Sequence, residues 1–145
     1  MATKFDVKIA QGKALEVLAG IQALDPYKVS VGFGLRLERI ATELQPVAER
    51  LSARYRGMAE QFGRRKPDGS FVTGPGGVEM VDSPEARTAK AALEAAENEL
   101  LDFSLELFSA ADLQAEAGDV ERRIIRMLVP LFKESHPNLK EPSNG

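Results

Sequence analysis

Apolar residues recur at steps of three and four along residues 33–62, which is the spacing of one face of an α-helix. The positions are Phe33, Leu37, Ile40, Leu44, Val47, Leu51, Tyr55, Met58 and Phe62. Charged residues, mostly Arg and Glu, fill the other faces. At about 1.5 Å per residue the predicted helix is roughly 45 Å long. A compact domain of this size cannot enclose a helix of that length on all sides. This apolar stripe needs packing partners along its length, from this chain or another, and it indicates scaffolding rather than a catalytic pocket.

Pro46 lies inside the apolar stripe and removes one backbone hydrogen bond, at a cost of up to ~3 kcal/mol in a straight helix. Two outcomes are open: a kinked continuous helix, or two helices that meet at residues 44–45. Because the apolar spacing passes Pro46 without a change of phase, we favour the kinked continuous helix. Ser30 is its predicted N-cap.

Shorter elements precede and follow the long helix. Phe5, Val7 and Ile9 alternate with polar residues and predict a half-buried strand, ended by Gly12. A short helix spans about residues 14–24. After the long helix, the segment Asp82-Ser83-Pro84-Glu85 predicts a helix start. The apolar face of that helix comprises Ala86, Ala89, Leu93, Ala96 and Leu100.

Residues 64–81 are rich in glycine, proline and aspartate, which favours turns. Two short apolar pieces, Phe71-Val72 and Val78–Val81, could pair as a hairpin, so this segment is either a small β-arm or a mobile loop. Residues 103–107 alternate between apolar and polar and predict another strand. Ser109 and Asp112 look like a further helix cap, and a final helix from residue 118 is bent or ended at Pro130.

These elements predict a mainly α (α+β) fold. The expected architecture is a helical hairpin built on one long kinked helix, with a small β-hairpin or sheet made from short strands. Residues 1–134 form a single helical domain in this interpretation, and residues 135–145 form a surface tail.

Several short motifs occur in an order that resembles a known family. They are Glu43-Leu44-Gln45-Pro46, then Glu49, Arg50, Leu51 and Tyr55, then Asp68-Gly69, then Phe103-Ser-Leu-Glu-Leu, and finally Ser109-Ala-Ala-Asp112-Leu113. The order is similar to that of small, uncharacterised proteins of tailed bacteriophages and prophages. The resemblance covers roughly residues 4–132. It implies phage origin and a mixed helical fold with a small sheet, and it brings no catalytic residues.

The charge of the chain is divided between its two halves. Residues 1–81 hold 12 Lys/Arg and 9 Asp/Glu, net +3, whereas residues 82–145 hold 7 and 13, net −6. The simplest interpretation is that the halves pack against each other with complementary charge, and a two-faced surface for partners is the alternative. The net charge of −3 argues against a uniformly basic nucleic-acid binder.

The 145-residue chain has no cysteine, which excludes disulfides and thiolate chemistry. Its N-terminal residues lack the apolar core of a signal peptide. No segment approaches the ~20 apolar residues of a membrane span. We therefore expect a cytoplasmic protein that does not enter a membrane.

Candidate catalytic residues are few. His136, the one histidine, precedes Pro137 in a polar segment and is expected to be exposed and inert. The acidic residues assigned to the third helix favour a solvated face or one that meets arginines of the long helix; they are Glu94, Glu97, Glu99, Asp102 and Glu106. The glycines near residues 32–34 and 73–77 lack the complete phosphate-loop patterns and indicate turns. We therefore expect no metal site, no cofactor and no enzymatic activity.

The best candidate for a binding site is a set of cations. Arg50 and Arg54 lie one turn apart on the long helix, and Arg64-Arg65-Lys66 stands beside the glycine-rich segment. Such a set can hold phosphates by charge without reading a sequence. A solvated or internally paired set is the competing interpretation.

Two functions from different classes follow. The leading hypothesis is a non-enzymatic phage protein that acts by protein–protein interaction, as a virion or assembly component or as an accessory protein that binds a host factor. Its partner is a host protein, a phage protein or a second copy, in the host cytoplasm or the virion. The alternative is an electrostatic binder of nucleic acid or a nucleotide signal through Arg64, Arg65, Lys66, Arg50 and Arg54.

Overall fold

A computed structural model describes residues 3–139 of the chain. Within that range the protein is mainly α-helical with a small β part, so the predicted fold class is confirmed. The elements are β1 (Phe5–Ala10), α1 (Gln11–Ala23), α2 (Val31–Phe62), β2 (Thr73–Gly74), β3 (Gly77–Val78), α3 (Pro84–Asn98), β4 (Leu100–Leu105), α4 (Ala110–Ala117) and α5 (Arg122–Leu128). Two 3-10 turns follow, at Val129–Leu131 and Lys133–Ser135.

Helix α2 runs through Pro46 as one element of 32 residues, so the alternative of two separate helices is wrong. Ser30 caps its start as predicted, because the Ser30 hydroxyl accepts a hydrogen bond from the Phe33 amide at 3.2 Å. The helix ends at Gly63, whose extended backbone leads into the next segment.

The core lies on the first two thirds of α2. Every stripe position from Phe33 to Leu51 is buried. Helix α1 packs along this part of α2, and α5 packs on α1 in turn. Phe108 is fully buried and makes edge contacts with the rings of Phe33 and Phe132, so the C-terminal segment closes the core.

Strands β1 and β4 form an antiparallel pair that lies against the helices. In its register Val7 faces Phe103, and Lys8 faces Asp102. Phe5, Val7 and Ile9 point into the core, which confirms the predicted N-terminal strand. Two local predictions were wrong: Gly12 lies inside α1, and Leu100 is an exposed residue of β4 rather than of the third helix.

Residues 63–81 form a small β-arm rather than a loop without regular pairing. The Arg64 amide donates to the Glu79 carbonyl at 2.8 Å, the Val72 amide to the Arg64 carbonyl at 2.8 Å, and the Glu79 amide to the Val72 carbonyl at 2.9 Å. Strands β2 and β3 pair at its tip. Chain segments on both sides of the turn at Asp68-Gly69 are therefore tied to one another and to the segment that enters α3.

The C-terminal elements start and stop where local signals indicate. Ser109 and Asp112 form a reciprocal capping box at the start of α4. The last helix, α5, ends at Leu128, and Pro130 lies in the 3-10 turn that follows. Of the predicted surface tail at residues 135–145, Leu139 packs against the core, while residues 140–145 lie outside the described range.

Contacts between the two charged halves follow the expected sign. Lys8 pairs with Asp102 at 3.0 Å, and Arg39 pairs with Glu106 at 2.5 Å, each with its cation in the first half of the chain. Ion pairs within one half also occur, such as Lys13 with Glu16. Complementary charge thus contributes to the packing of the halves without being its sole source. Across residues 3–139, no helix is both long and apolar enough to cross a membrane.

Candidate functional site

An open groove of about 660 Å³ lies beside the C-terminal part of α2, between that helix, the β-arm and α3. The residues that shape it are Tyr55 and Met58 of α2, Val78 and Met80 of the β-arm, and Leu93 and Glu97 of α3. We call this feature the distal groove.

The distal groove exists because the apolar stripe of α2 continues beyond the main core. Leu44 and Leu51 are fully buried, whereas Tyr55, Met58 and Phe62 are half-buried. The start of α1 lies beside Tyr55. Beyond that point the flanking residues come from α3 and the β-arm, and they leave one side of the stripe open.

A hydrogen bond between helices defines one wall of the groove. The Tyr55 hydroxyl donates to the Glu97 carboxylate at 2.8 Å. Burial, and then the neighbouring Glu97 carboxylate, raise the pKa of Tyr55 to about 12. The phenol therefore stays protonated and keeps its donor role at neutral pH, which holds α3 against α2.

The lining of the distal groove suits apolar side chains of a partner. Met58 and Met80 have flexible, polarizable side chains that adapt to irregular surfaces, and Val78 and Leu93 add apolar area. Grooves of this kind accept the apolar face of a helix or an extended peptide. Exposed Lys90 and Glu94 at the rim supply charges of both signs.

The five predicted phosphate-binding cations do not form one cluster. Arg50 and Arg54 are exposed on α2, and Arg64, Arg65 and Lys66 are exposed on the β-arm. Arg50 lies 12 residues before the end of α2 at Phe62, which corresponds to about 18 Å along the helix axis. The set is therefore spread along the molecule rather than focused on one point.

Within the β-arm, Arg65 is separated from its neighbours. Its guanidinium stacks over the Phe71 ring at 4.2 Å and donates to the Gly69 carbonyl at 2.9 Å. Because side chains alternate along an extended segment, Arg64 and Lys66 project from the opposite face. The predicted clamp of three adjacent cations is thus reduced to Arg64 and Lys66.

The other candidate groups have structural partners. His136 is half-buried rather than exposed, with its Nε2 atom 2.7 Å from the Pro130 carbonyl oxygen. Glu97 accepts from Tyr55, and Glu99 accepts from the Gln11 side-chain amide at 2.9 Å, whereas Glu94 is solvated. Among residues 3–139 no three His, Asp or Glu side chains are grouped as metal ligands would be.

One predicted contact between the acidic residues and the arginines of the long helix does form, in the buried pair of Glu106 and Arg39, although the sequence did not indicate which residues would pair. Glu106 is 3% exposed and accepts from two guanidinium nitrogens of Arg39, at 2.5 and 2.9 Å. Both residues line a polar groove of about 310 Å³ between α2 and the end of β4, where Lys4 also lies. The sequence signal for Glu106 is its position as a single acid between Leu105 and Leu107, in a segment that is otherwise apolar.

Comparison with protein-family models, curated proteins and solved structures gives no match to this chain. Within residues 3–139, two surfaces suit a binding partner, the distal groove and the Arg64/Lys66 face of the β-arm.

Proposed function

We propose that this chain is a non-enzymatic phage protein that acts by protein–protein interaction, either as a virion or assembly component or as an accessory protein that binds a host factor. The observation that carries the proposal is the distal groove, where half-buried Met58, Met80 and Leu93 leave apolar surface open. The phage assignment is supported by the order of motifs from Glu43-Leu44-Gln45-Pro46 to Ser109–Leu113. The site of action is the host cytoplasm or the virion.

Capture of partners by two charged variants tests this proposal. Leu93→Glu places a carboxylate inside the distal groove, and Leu100→Glu places the same group on an exposed position of β4. Tagged wild type and both variants are used as bait in lysates of infected cells, with mass spectrometry of the retained proteins. We expect wild type and Leu100→Glu to retain the same partner and Leu93→Glu to lose it.

Two results would oppose the proposal. In the first, wild type retains nothing and purified virions lack the chain. In the second, Leu93→Glu retains the partner as well as wild type does, which would place the contact elsewhere. Circular dichroism of each variant establishes that the fold is intact before capture is compared.

A second candidate function rests on the β-arm. Its paired backbone holds Arg64 and Lys66 exposed on one face, which suits electrostatic contact with the phosphates of nucleic acid or a nucleotide signal. We expect Arg64→Ala/Lys66→Ala to abolish binding of a single-stranded oligonucleotide and Arg65→Ala to retain most of it. Fluorescence anisotropy at several salt concentrations measures both. Equal loss in the two variants, or affinity that is independent of salt, would contradict this assignment.

A further inference from the structure

Strand β1 has an outer edge whose hydrogen-bonding direction can be determined. The Gln11 amide donates to the Glu99 carbonyl at 3.0 Å, directly beyond the facing pair Ala10 and Leu100. In an antiparallel ladder, bonded pairs alternate with non-bonded pairs. Residues 5, 7 and 9 therefore bond to β4, and Asp6 and Lys8 turn their backbone N–H and C=O groups away from it.

These outward groups have no backbone partner among residues 3–139. Neither Asp6 nor Lys8 makes a backbone hydrogen bond to another described segment, and the sheet contains two strands. Both side chains are exposed. A strand edge of this kind is a ready template for pairing with another strand.

We propose that β1 pairs antiparallel with β1 of a second copy of this chain, around a two-fold axis at Val7. Asp6 of each copy then faces Lys8 of the other, so that two opposite-charge pairs form across the axis. The result is a continuous four-stranded antiparallel sheet in the order β4, β1, β1, β4. This self-association goes beyond the proposed function and uses a surface different from the distal groove.

Charge selects both the edge and the register. Among two-fold registers confined to Phe5–Ala10, the one centred on Val7 brings Asp6 of one copy opposite Lys8 of the other. A register centred on Asp6 places Asp6 against Asp6, and one centred on Lys8 places Lys8 against Lys8. The outer edge of β4 carries Asp102 and exposed Leu100 without any cation, so two β4 edges cannot form opposite-charge pairs. A contact between identical edges closes at two copies rather than growing into a fibre.

Charge-reversal variants test this pairing by sedimentation velocity over a range of protein concentrations at low salt. We expect wild type to shift from monomer toward dimer as concentration rises. Lys8→Asp makes a carboxylate face a carboxylate at both pairs across the axis and should weaken dimerisation by about tenfold or more. Asp6→Lys should do the same through facing ammonium groups.

Mixing distinguishes this register from a general loss of affinity. An equimolar mixture of the Lys8→Asp and Asp6→Lys variants allows a heterodimer in which each facing pair joins a carboxylate to an ammonium group, so the mixture should associate although each variant alone does not. The double variant Asp6→Lys/Lys8→Asp likewise restores opposite charges at both pairs and should recover the wild-type dimer. In the double variant, as in Lys8→Asp, the carboxylate at position 8 faces Asp102, so the ion pair between Lys8 and Asp102 stays broken. Recovery of the dimer in the double variant therefore cannot come from that ion pair.

Asp102→Lys is the matched control. It breaks the same ion pair with Lys8 but leaves the β1 edge unchanged, so it should retain the wild-type dimer. The proposal is overturned if wild type stays monomeric at the highest concentration, if Lys8→Asp dimerises like wild type, or if the double variant fails to associate. Circular dichroism of each variant confirms that these outcomes refer to folded protein.

Discussion

Glu106 illustrates at the scale of one residue how a charge is retained in an apolar setting. Its carboxylate is almost fully buried, yet both of its oxygens accept from Arg39. These hydrogen bonds hold the pKa of Glu106 below its ordinary value of 4.5, against the opposing effect of burial. Because the Arg39 side chain is half exposed, the pair joins the end of β4 to the solvent-facing side of α2.

The first prediction concerns the pH dependence of this pair. Glu106→Gln should lower the free energy of unfolding at pH 7, because the charged acceptor of Arg39 is lost. A lowered pKa in the folded state gives stability that is complete above the unfolded pKa and disappears as the pH falls through the folded pKa. The difference between wild type and Glu106→Gln should therefore shrink below about pH 4.5. Urea unfolding between pH 7 and pH 3 measures it.

Glu43→Gln provides the comparison for this experiment. Glu43 lines the same polar groove but is exposed, and its carboxylate makes no hydrogen bond among residues 3–139. The substitution should leave stability nearly unchanged at every pH. A Glu106→Gln effect that is equally large at pH 7 and pH 3 would show that the charge of Glu106 is not its source.

The second prediction concerns Tyr55. The chain has two tyrosines and no tryptophan, so Tyr27→Phe leaves a single phenol to follow by ultraviolet absorbance. The midpoint of its titration should lie at about 12. Adding Glu97→Gln should lower that midpoint but keep it above 10.0, because burial is the larger cause of the raised pKa.

The sign of the associated stability change follows from the raised pKa. The contribution of Tyr55 is complete below its unfolded pKa of 10.0 and is lost as the pH rises toward about 12. A midpoint near 10 in folded Tyr27→Phe protein would mean that the phenol is solvated and that α3 does not pack on α2 at this point.

At the scale of elements, two helical glycines predict opposite effects of the same substitution. A Cβ atom at Gly20 of α1 would lie 2.9 Å from Met127 Cβ and 3.0 Å from a Leu128 methyl carbon, so Gly20 permits the close packing of α1 on α5. At Gly57 of α2 no atom outside the local helix backbone lies within 4 Å of the added Cβ.

The third prediction therefore pairs these two sites. Gly57→Ala should raise the free energy of unfolding by about 0.4–1 kcal/mol, since alanine restricts the unfolded chain and favours helix. Gly20→Ala should lower it by about 1–3 kcal/mol through overpacking against α5. Chemical denaturation measures both. Shifts in the same direction would mean that the contact between α1 and α5 is looser than described.

Element types and several of their boundaries could be predicted from local signals. Ser30, Ser83 and Ser109 all cap helices where the sequence indicates, because a cap depends on residues within one turn. The continuous α2 followed from the unbroken phase of the apolar stripe at Pro46. Gly12 was misassigned, since a glycine does not by itself decide between ending a strand and lying in a helix.

The candidate site was less accessible to prediction, because it depends on contacts between distant residues. Glu106 and Arg39 are 67 positions apart, and Tyr55 and Glu97 are 42 apart. No local pattern indicates which acid meets which partner. The cations of residues 64–66 were found, but their division between two faces depends on the pairing of the β-arm, which the sequence left undecided.

At the scale of the whole molecule, α2 is enclosed on more sides in its N-terminal part than in its C-terminal part. Its positions from Phe33 to Leu51 are enclosed by α1, the β1–β4 pair and the C-terminal segment, whereas Met58 and Phe62 have α3 and the β-arm beside them. Local opening is easiest where few apolar contacts are lost. The end of α2 that borders the distal groove should therefore open independently of the rest.

The fourth prediction is a gradient of hydrogen exchange along α2. Amides between Ile40 and Leu51 should exchange through global unfolding, and amides from Met58 to Phe62 should exchange at least about tenfold faster. Low concentrations of denaturant should accelerate the buried amides with the steeper slope, since global unfolding exposes more surface. Equal rates and slopes along the helix would show that α2 opens as one unit. A bound partner in the distal groove should slow exchange at residues 58–62 selectively, so the same measurement locates the contact surface within the intact protein.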